Sequence, residues 1–281
     1  MPSMQTARSE LKVLLSDLAM GESPRWHDGR LWFSDWGAQE IIAVDINGNK
    51  EIVLSTPFAL PFCIDWLPDG RLLIVAGRES RVIRREWDGS LVTHVDLRNI
   101  SEQAWNEIVV DGRGNAYING DSGIIALITA HGSVLQVADS IAFPNGMAVT
   151  PDKSTLIIAE SYGKRLTAFD IAPDGSLSSR RVWADLGDGV PDGICLDADG
   201  CVWYADVPNK RCVRVREGGE VLKSINLDRG CFACKLGGAD NKTLFMVATE
   251  WRGMDKIPEV AQARTGQLLT IDAPTRHVGW P

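Results

Sequence analysis

The chain has 281 residues, 44% of them hydrophobic and 23% charged, which excludes intrinsic disorder, collagen and a small disulfide-stapled scaffold and leaves ample side chains for a large core. A net charge of −8 lacks the basic footprint that nucleic-acid binding requires. The longest apolar runs, such as Leu72 to Ala76, are strand-sized and too short to span a bilayer, and Met1 to Glu10 has neither a basic segment nor an apolar one. A soluble cytoplasmic protein is expected, with residues 1–10 a flexible arm.

In chain order, Leu11 to Leu18 is a first strand-like stretch. A unit then recurs: a short apolar strand, a tight Asp, Gly or Asn turn, a second apolar strand, a polar loop and a third strand. Trp26 to Phe33 opens the series, followed by Ile64 to Ile74, Val109 to Ile118, Ala148 to Ile158, Cys195 to Tyr204 and Lys235 to Met246. With Gly29, Gly70, Gly114, Ser154, Gly200 and Lys242 as equivalent turn positions, the spacings are 41, 44, 40, 46 and 42. These turns carry residues that tolerate the positive φ of tight hairpins. Strands at this spacing, with no helical period of useful length, indicate all-β structure. Six units of this length predict one domain over residues 1–281, a six-bladed β-propeller with four-stranded blades. The Gly-His and Trp-Asp signatures of WD40 repeats are missing, so the lineage is a different one. The stretch Leu11 to Leu18 is expected to complete the last blade and close the ring, leaving no free edge.

Cys63, Cys195, Cys201 and Cys212 lie in apolar strands and read as small core residues. Cys231 and Cys234 form a C-x-x-C without a second pair at zinc-site spacing, so no bridge and no zinc site is expected. His27 and His131 fall in turns and read as solvent-facing.

The chemistry is expected on the loops entering each unit. These read Gly21-Glu22-Ser23-Pro24, Ala104-Trp105-Asn106-Glu107, Phe143-Pro144-Asn145-Gly146 and Val190-Pro191-Asp192-Gly193. Glu22, Asn106, Asn145 and Asp192 stand at matching places, and on a ring they converge on one axis. Two carboxylates and two amides make an all-oxygen set suited to a hard divalent cation in the central channel. Taken singly, Pro-Asn-Gly or Pro-Asp-Gly is ordinary turn chemistry.

As a set, Gly21-Glu22-Ser23-Pro24, Trp105-Asn106-Glu107 leading to Val110-Asp111, Pro144-Asn145-Gly146-Met147-Ala148 and Pro191-Asp192-Gly193 resemble the senescence marker protein/regucalcin and gluconolactonase family. The resemblance runs from about Leu14 to Asp272. It implies a six-bladed propeller with one divalent metal in its channel, hydrolysing sugar lactones, with Glu22, Asn145 and Asp192 as ligands and Asn106 at the substrate. The ion implied is Ca²⁺, with Zn²⁺, Mn²⁺, Mg²⁺ or Fe²⁺ as alternatives. In the mechanism expected on this basis, the cation polarises the lactone carbonyl and Asp192 activates the attacking water. Relatives of the regucalcin type carry an Arg where this chain has Ala104, so the contacts to the sugar must differ. Asp121 is a candidate replacement, and Trp105, Phe143 and Trp251 are candidate walls of the channel. Two other readings stay open: an organophosphate or aryl-ester hydrolase, and a non-catalytic calcium- or ligand-binding propeller. Oligomeric state is not specified by the sequence.

Overall fold

A computed structural model describes residues 10–280; Met1–Ser9, most of the expected flexible arm, and Pro281 lie outside the described residues. The strands form six four-stranded antiparallel sheets. The first blade comprises Gly21–His27, Arg30–Asp35, Glu40–Val44 and Lys50–Ser55, in that order from the centre outward. Blades two to five repeat this meander, starting from the innermost strands Phe62–Trp66, Trp105–Val110, Pro144–Val149 and Pro191–Leu196. The sixth blade takes Gly230–Gly237, Thr243–Thr249 and Gly266–Asp272 from the C-terminal part and its outermost strand, Lys12–Leu18, from the N-terminal part. Lys12 pairs with Thr270 and Leu18 with Gly266, so the ring closes as expected and the chain is a six-bladed β-propeller.

The hairpin turns explain the glycine content. Gly29, Gly70, Gly114 and Gly200 have φ between 71° and 89°, a region closed to most L-residues. In the fourth and sixth blades Lys153 and Asn241 take this conformation, one residue ahead of the expected Ser154 and Lys242. The second strands of the blades read as continuous apolar runs because both faces are covered: all five residues of Leu72–Ala76 are buried. Neighbouring blades supply the cover, Val75 and Val82 packing with Ile108 and Ile118, and Ile157 and Leu166 with Tyr204 and Val213. Outermost strands such as Lys50–Ser55 face solvent.

Two features depart from the sequence expectations. A 3₁₀ turn, Met254–Lys256, and a short helix, Ile257–Ala263, separate the last two strands of the sixth blade. The helix buries only Val260, too little apolar pattern to announce itself. His27 is not a solvent-facing turn residue; it ends the first strand half-buried, with its ring stacked on Trp66 at 4.2 Å. All six cysteines are free and buried, in keeping with a core role. No helix among the described residues is long and apolar enough to cross a membrane.

Candidate functional site

Glu22, Asn106, Asn145 and Asp192 are each the second residue of the innermost strand of their blade, within strands rather than on the loops entering them. Each also sits at a register irregularity in the pairing with the next strand, between Glu22 and Arg25, Trp105 and Ile108, Pro144 and Met147, and Pro191 and Ile194. The bulge re-aims a side chain that regular pleating would hold in a blade face. In the first blade Ser23 accommodates it with φ of 51°.

Gly146 and Gly193, which the sequence suggests as turn residues, are there for close approach. A Cβ on Gly193 would lie 2.4 Å from Ala233 Cβ, and one on Gly146 would lie 2.5 Å from Ile194 N. Innermost strands of adjacent blades come this near only around the axis, and glycine lets the polar residue before it reach the channel.

All four side chains line one cavity of about 480 Å³ at the channel mouth, within the usual size range for small-molecule sites. Glu22 is buried, and Ser23 N donates to its Oε2 at 2.9 Å. Burial first, and then the neighbouring Glu107, pushes the Glu22 carboxyl up to about 8 from the ordinary 4.5. Burial and then Glu22 raise Asp192 well above the carboxylate range, while a hydrogen bond from Asn145 works against the rise. The scaffold beneath is cross-braced: Asn119 Nδ2 donates to the Asn145 carbonyl at 2.6 Å, and Ser161 Oγ to the Pro191 carbonyl at 2.6 Å.

This arrangement fits a hard divalent cation. Two carboxylates with raised proton affinity, Asp192 in part because of Glu22, stand beside neutral amide donors and gain from a positive charge placed among them, and every donor is oxygen-bearing. Among the described residues no group of three or more His, Cys, Asp or Glu side chains is arranged for a metal; the set here combines two carboxylates with amides.

The loop after the second strand of each blade supplies the rim: Trp36, Arg78, Asp121, Tyr162, Val207 and Trp251. Asp121 and the expected wall residues Phe143 and Trp251 therefore face the cavity. Trp105 does not. It is fully buried in the core between blades two and three, because neighbouring strand residues point to opposite faces and Asn106 takes the channel side. Arg78 escaped the sequence reading. It lines the same cavity as Ala104, and its Nε donates to the Leu60 carbonyl at 2.7 Å. Its signal was positional: it follows its strand at the place that Asp121 and Trp251 hold in other blades.

A closed ring of six blades with an oxygen-donor centre at the channel mouth defines the class: a six-bladed propeller with a candidate cation-dependent site. Residues 20–250 match the family described as the SMP-30/Gluconolactonase/LRE-like region, and the chain belongs to that family. It is 25% identical to regucalcin of Xenopus laevis, the alignment covering 95% of this chain and 97% of the relative. It is 24% identical to the pentonolactonase XacC of Haloferax volcanii over 76% of this chain and 82% of that protein. The crystal structure of a calcium-binding regucalcin from Agrobacterium tumefaciens superposes with a TM-score of 0.76 at 19% identity, over 97% and 98% of the two chains.

Proposed function

We propose that the chain is a cation-dependent lactonase that opens a lactone of the sugar-lactone type to the hydroxy acid. The observation that carries this reading is the convergence of Glu22, Asn106, Asn145 and Asp192 from four blades on one cavity. Membership in the family and the likeness to a pentonolactonase support it. Glu22, Asn145 and Asp192 are the residues that would hold the cation. A divalent ion bound there supplies Lewis-acid polarisation of the lactone carbonyl and stabilises the charge that develops on its oxygen.

The chain's own residues do the rest. Asp192 accepts a proton from the attacking water, a role suited to a carboxylate whose proton affinity is raised by burial and by Glu22. Asn106, beside the centre and not a charged ligand, orients the ester group. Asp121 and Arg78 lie at the rim on blades three and two, where they meet the polar edge of the substrate. Calcium is the ion proposed, since the donors are hard oxygens and the Agrobacterium relative is a calcium-binding protein.

The test is to strip cations with a chelator and reconstitute with Ca²⁺, Mg²⁺, Mn²⁺, Zn²⁺ and Fe²⁺ in turn. Each form is then assayed on pentono- and hexonolactones and on a phosphotriester. Lactone hydrolysis should vanish on stripping and return with at least one ion. Full activity in cation-free protein, or turnover of the phosphotriester alone, would overturn the proposal.

A further inference from the structure

Beyond its four central side chains, the cavity is walled mainly by carbon. Phe143 stacks on Tyr162 at 4.4 Å on the fourth blade, and Phe232 meets Trp251 edge-on at 5.5 Å on the sixth. The helical insertion of the sixth blade adds Met254 and Ile257 to the same wall. At the rim Tyr162 and Met254 are 70% and 60% exposed and extend this wall toward solvent.

Polar side chains outside the centre are few and lie together. Ser161 is spent on the scaffold, its hydroxyl donating to the Pro191 carbonyl. The charged side chains are Asp121 and Arg78, on blades three and two, and the outer guanidinium nitrogens of Arg78 face no carboxylate within salt-bridge distance among the described residues. One sector of the cavity thus carries the charges, while outside the centre blades four, five and six present mainly aromatic and aliphatic surface, with the Tyr162 hydroxyl and the Trp251 indole N–H as its polar points.

A polyhydroxylated lactone matches this wall poorly. Each hydroxyl turned toward blades four to six without a partner loses roughly tenfold in affinity. An alkyl or aryl group in the same place gains from leaving water.

We infer that the preferred substrate is a lactone carrying an alkyl or aryl substituent, with that substituent directed at the Phe143–Tyr162 and Phe232–Trp251 walls and its polar edge at Asp121 and Arg78. The inference rests on the proposed lactonase reading for the chemistry and adds the class of substrate.

The experiment measures kcat/KM of cation-reconstituted protein on two series, aldonolactones and ring-matched lactones bearing an alkyl chain or a fused aryl ring. The substituted series should be favoured about tenfold or more, mainly through lower KM. Trp251→Ala and Phe143→Ala should raise KM for the substituted series about tenfold while changing the preference toward aldonolactones. Equal or better turnover of aldonolactones would overturn the inference and leave the lactonase reading standing. If neither series is hydrolysed, the lactonase reading falls, and binding decides the inference alone: calorimetry compares an alkyl-substituted cyclic ether with a polyhydroxylated one. Tighter binding of the alkyl ether upholds the apolar wall as the recognition surface, and equal or weaker binding overturns it.

Discussion

Arg25 on the first blade donates from Nη2 to Glu107 on the third, at 2.9 Å, and from the same nitrogen to the Ile108 carbonyl at 2.6 Å. Its Nε lies 3.9 Å from Asp65 on the second blade, so one guanidinium joins three blades just beneath Glu22. All three charged groups are buried. Removing the guanidinium leaves Glu107 and Asp65 buried and uncompensated, the costly way to break a buried pair. Arg25→Met should therefore lower the unfolding free energy by about 3–5 kcal/mol in chemical denaturation. Glu107→Gln keeps an acceptor for Arg25 and removes a charge near Glu22, so it should cost less. Arg25→Met within about 1 kcal/mol of the parent would mean that the guanidinium is not a structural tie.

The role given to Asp192 is checked by Asp192→Asn, which keeps shape and one oxygen donor but cannot take up the water's proton. Turnover on the best lactone should fall by about a hundredfold or more. Cation titration by calorimetry runs alongside, because loss of a ligand charge also weakens binding. A variant that still binds the ion and turns over near the parent rate excludes Asp192 as the base.

Gly193 ties the strand geometry to the site. In Gly193→Ala the new methyl meets Ala233 Cβ at 2.4 Å and Cα at 2.7 Å, both on a rigid inner strand. Overpacking of this kind should cost about 1–3 kcal/mol and displace Asp192 from the channel, so activity falls as well. Adding Ala233→Gly removes the nearer contact and should restore part of both losses. A parent-like Gly193→Ala enzyme would show that the inner strands have room the structure does not give them.

Legibility followed distance along the chain. The blades were readable because each hairpin turn needs a residue that tolerates positive φ, and Gly29, Gly70, Gly114 and Gly200 print that need at regular spacing. The ring closure was readable because Lys12–Leu18 precedes the first unit as an unpaired apolar strand. Glu22, Asn106, Asn145 and Asp192 were found because they recur at one register. What was not readable depends on how blades meet. Trp105 and Asn106 are neighbours in sequence, yet one enters the core and the other the cavity, and only the strand's orientation separates them. Arg78 belongs to a rim built from six loops, none of which is a motif by itself. The helix Ile257–Ala263 is held by a single buried side chain.

Lys235 supplies a dependence on pH at the other end of the channel, where a second cavity of about 380 Å³ opens. It is 1% exposed, its Nζ lies 2.8 Å from His277 Nε2, and Arg25, Asp65, Cys195 and Cys234 also act on it. Burial, the largest influence, pulls its ammonium down to about 8 from the ordinary 10.5. Below about pH 8 both folded and unfolded chains carry the proton, and the folded state bears the full cost of the buried charge, about 3 kcal/mol. Between about pH 8 and 10.5 the folded protein releases the proton while the unfolded chain keeps it, so this contribution to stability rises with pH. Lys235→Met removes the titration. The stability of the parent relative to this variant should therefore improve by about 2–3 kcal/mol from pH 7 to pH 10, most of the full cost, read from paired denaturation curves. A difference that stays flat would mean that Lys235 holds its proton as firmly as a lysine in water, and one that moves against the parent as pH rises would mean that it holds it more firmly.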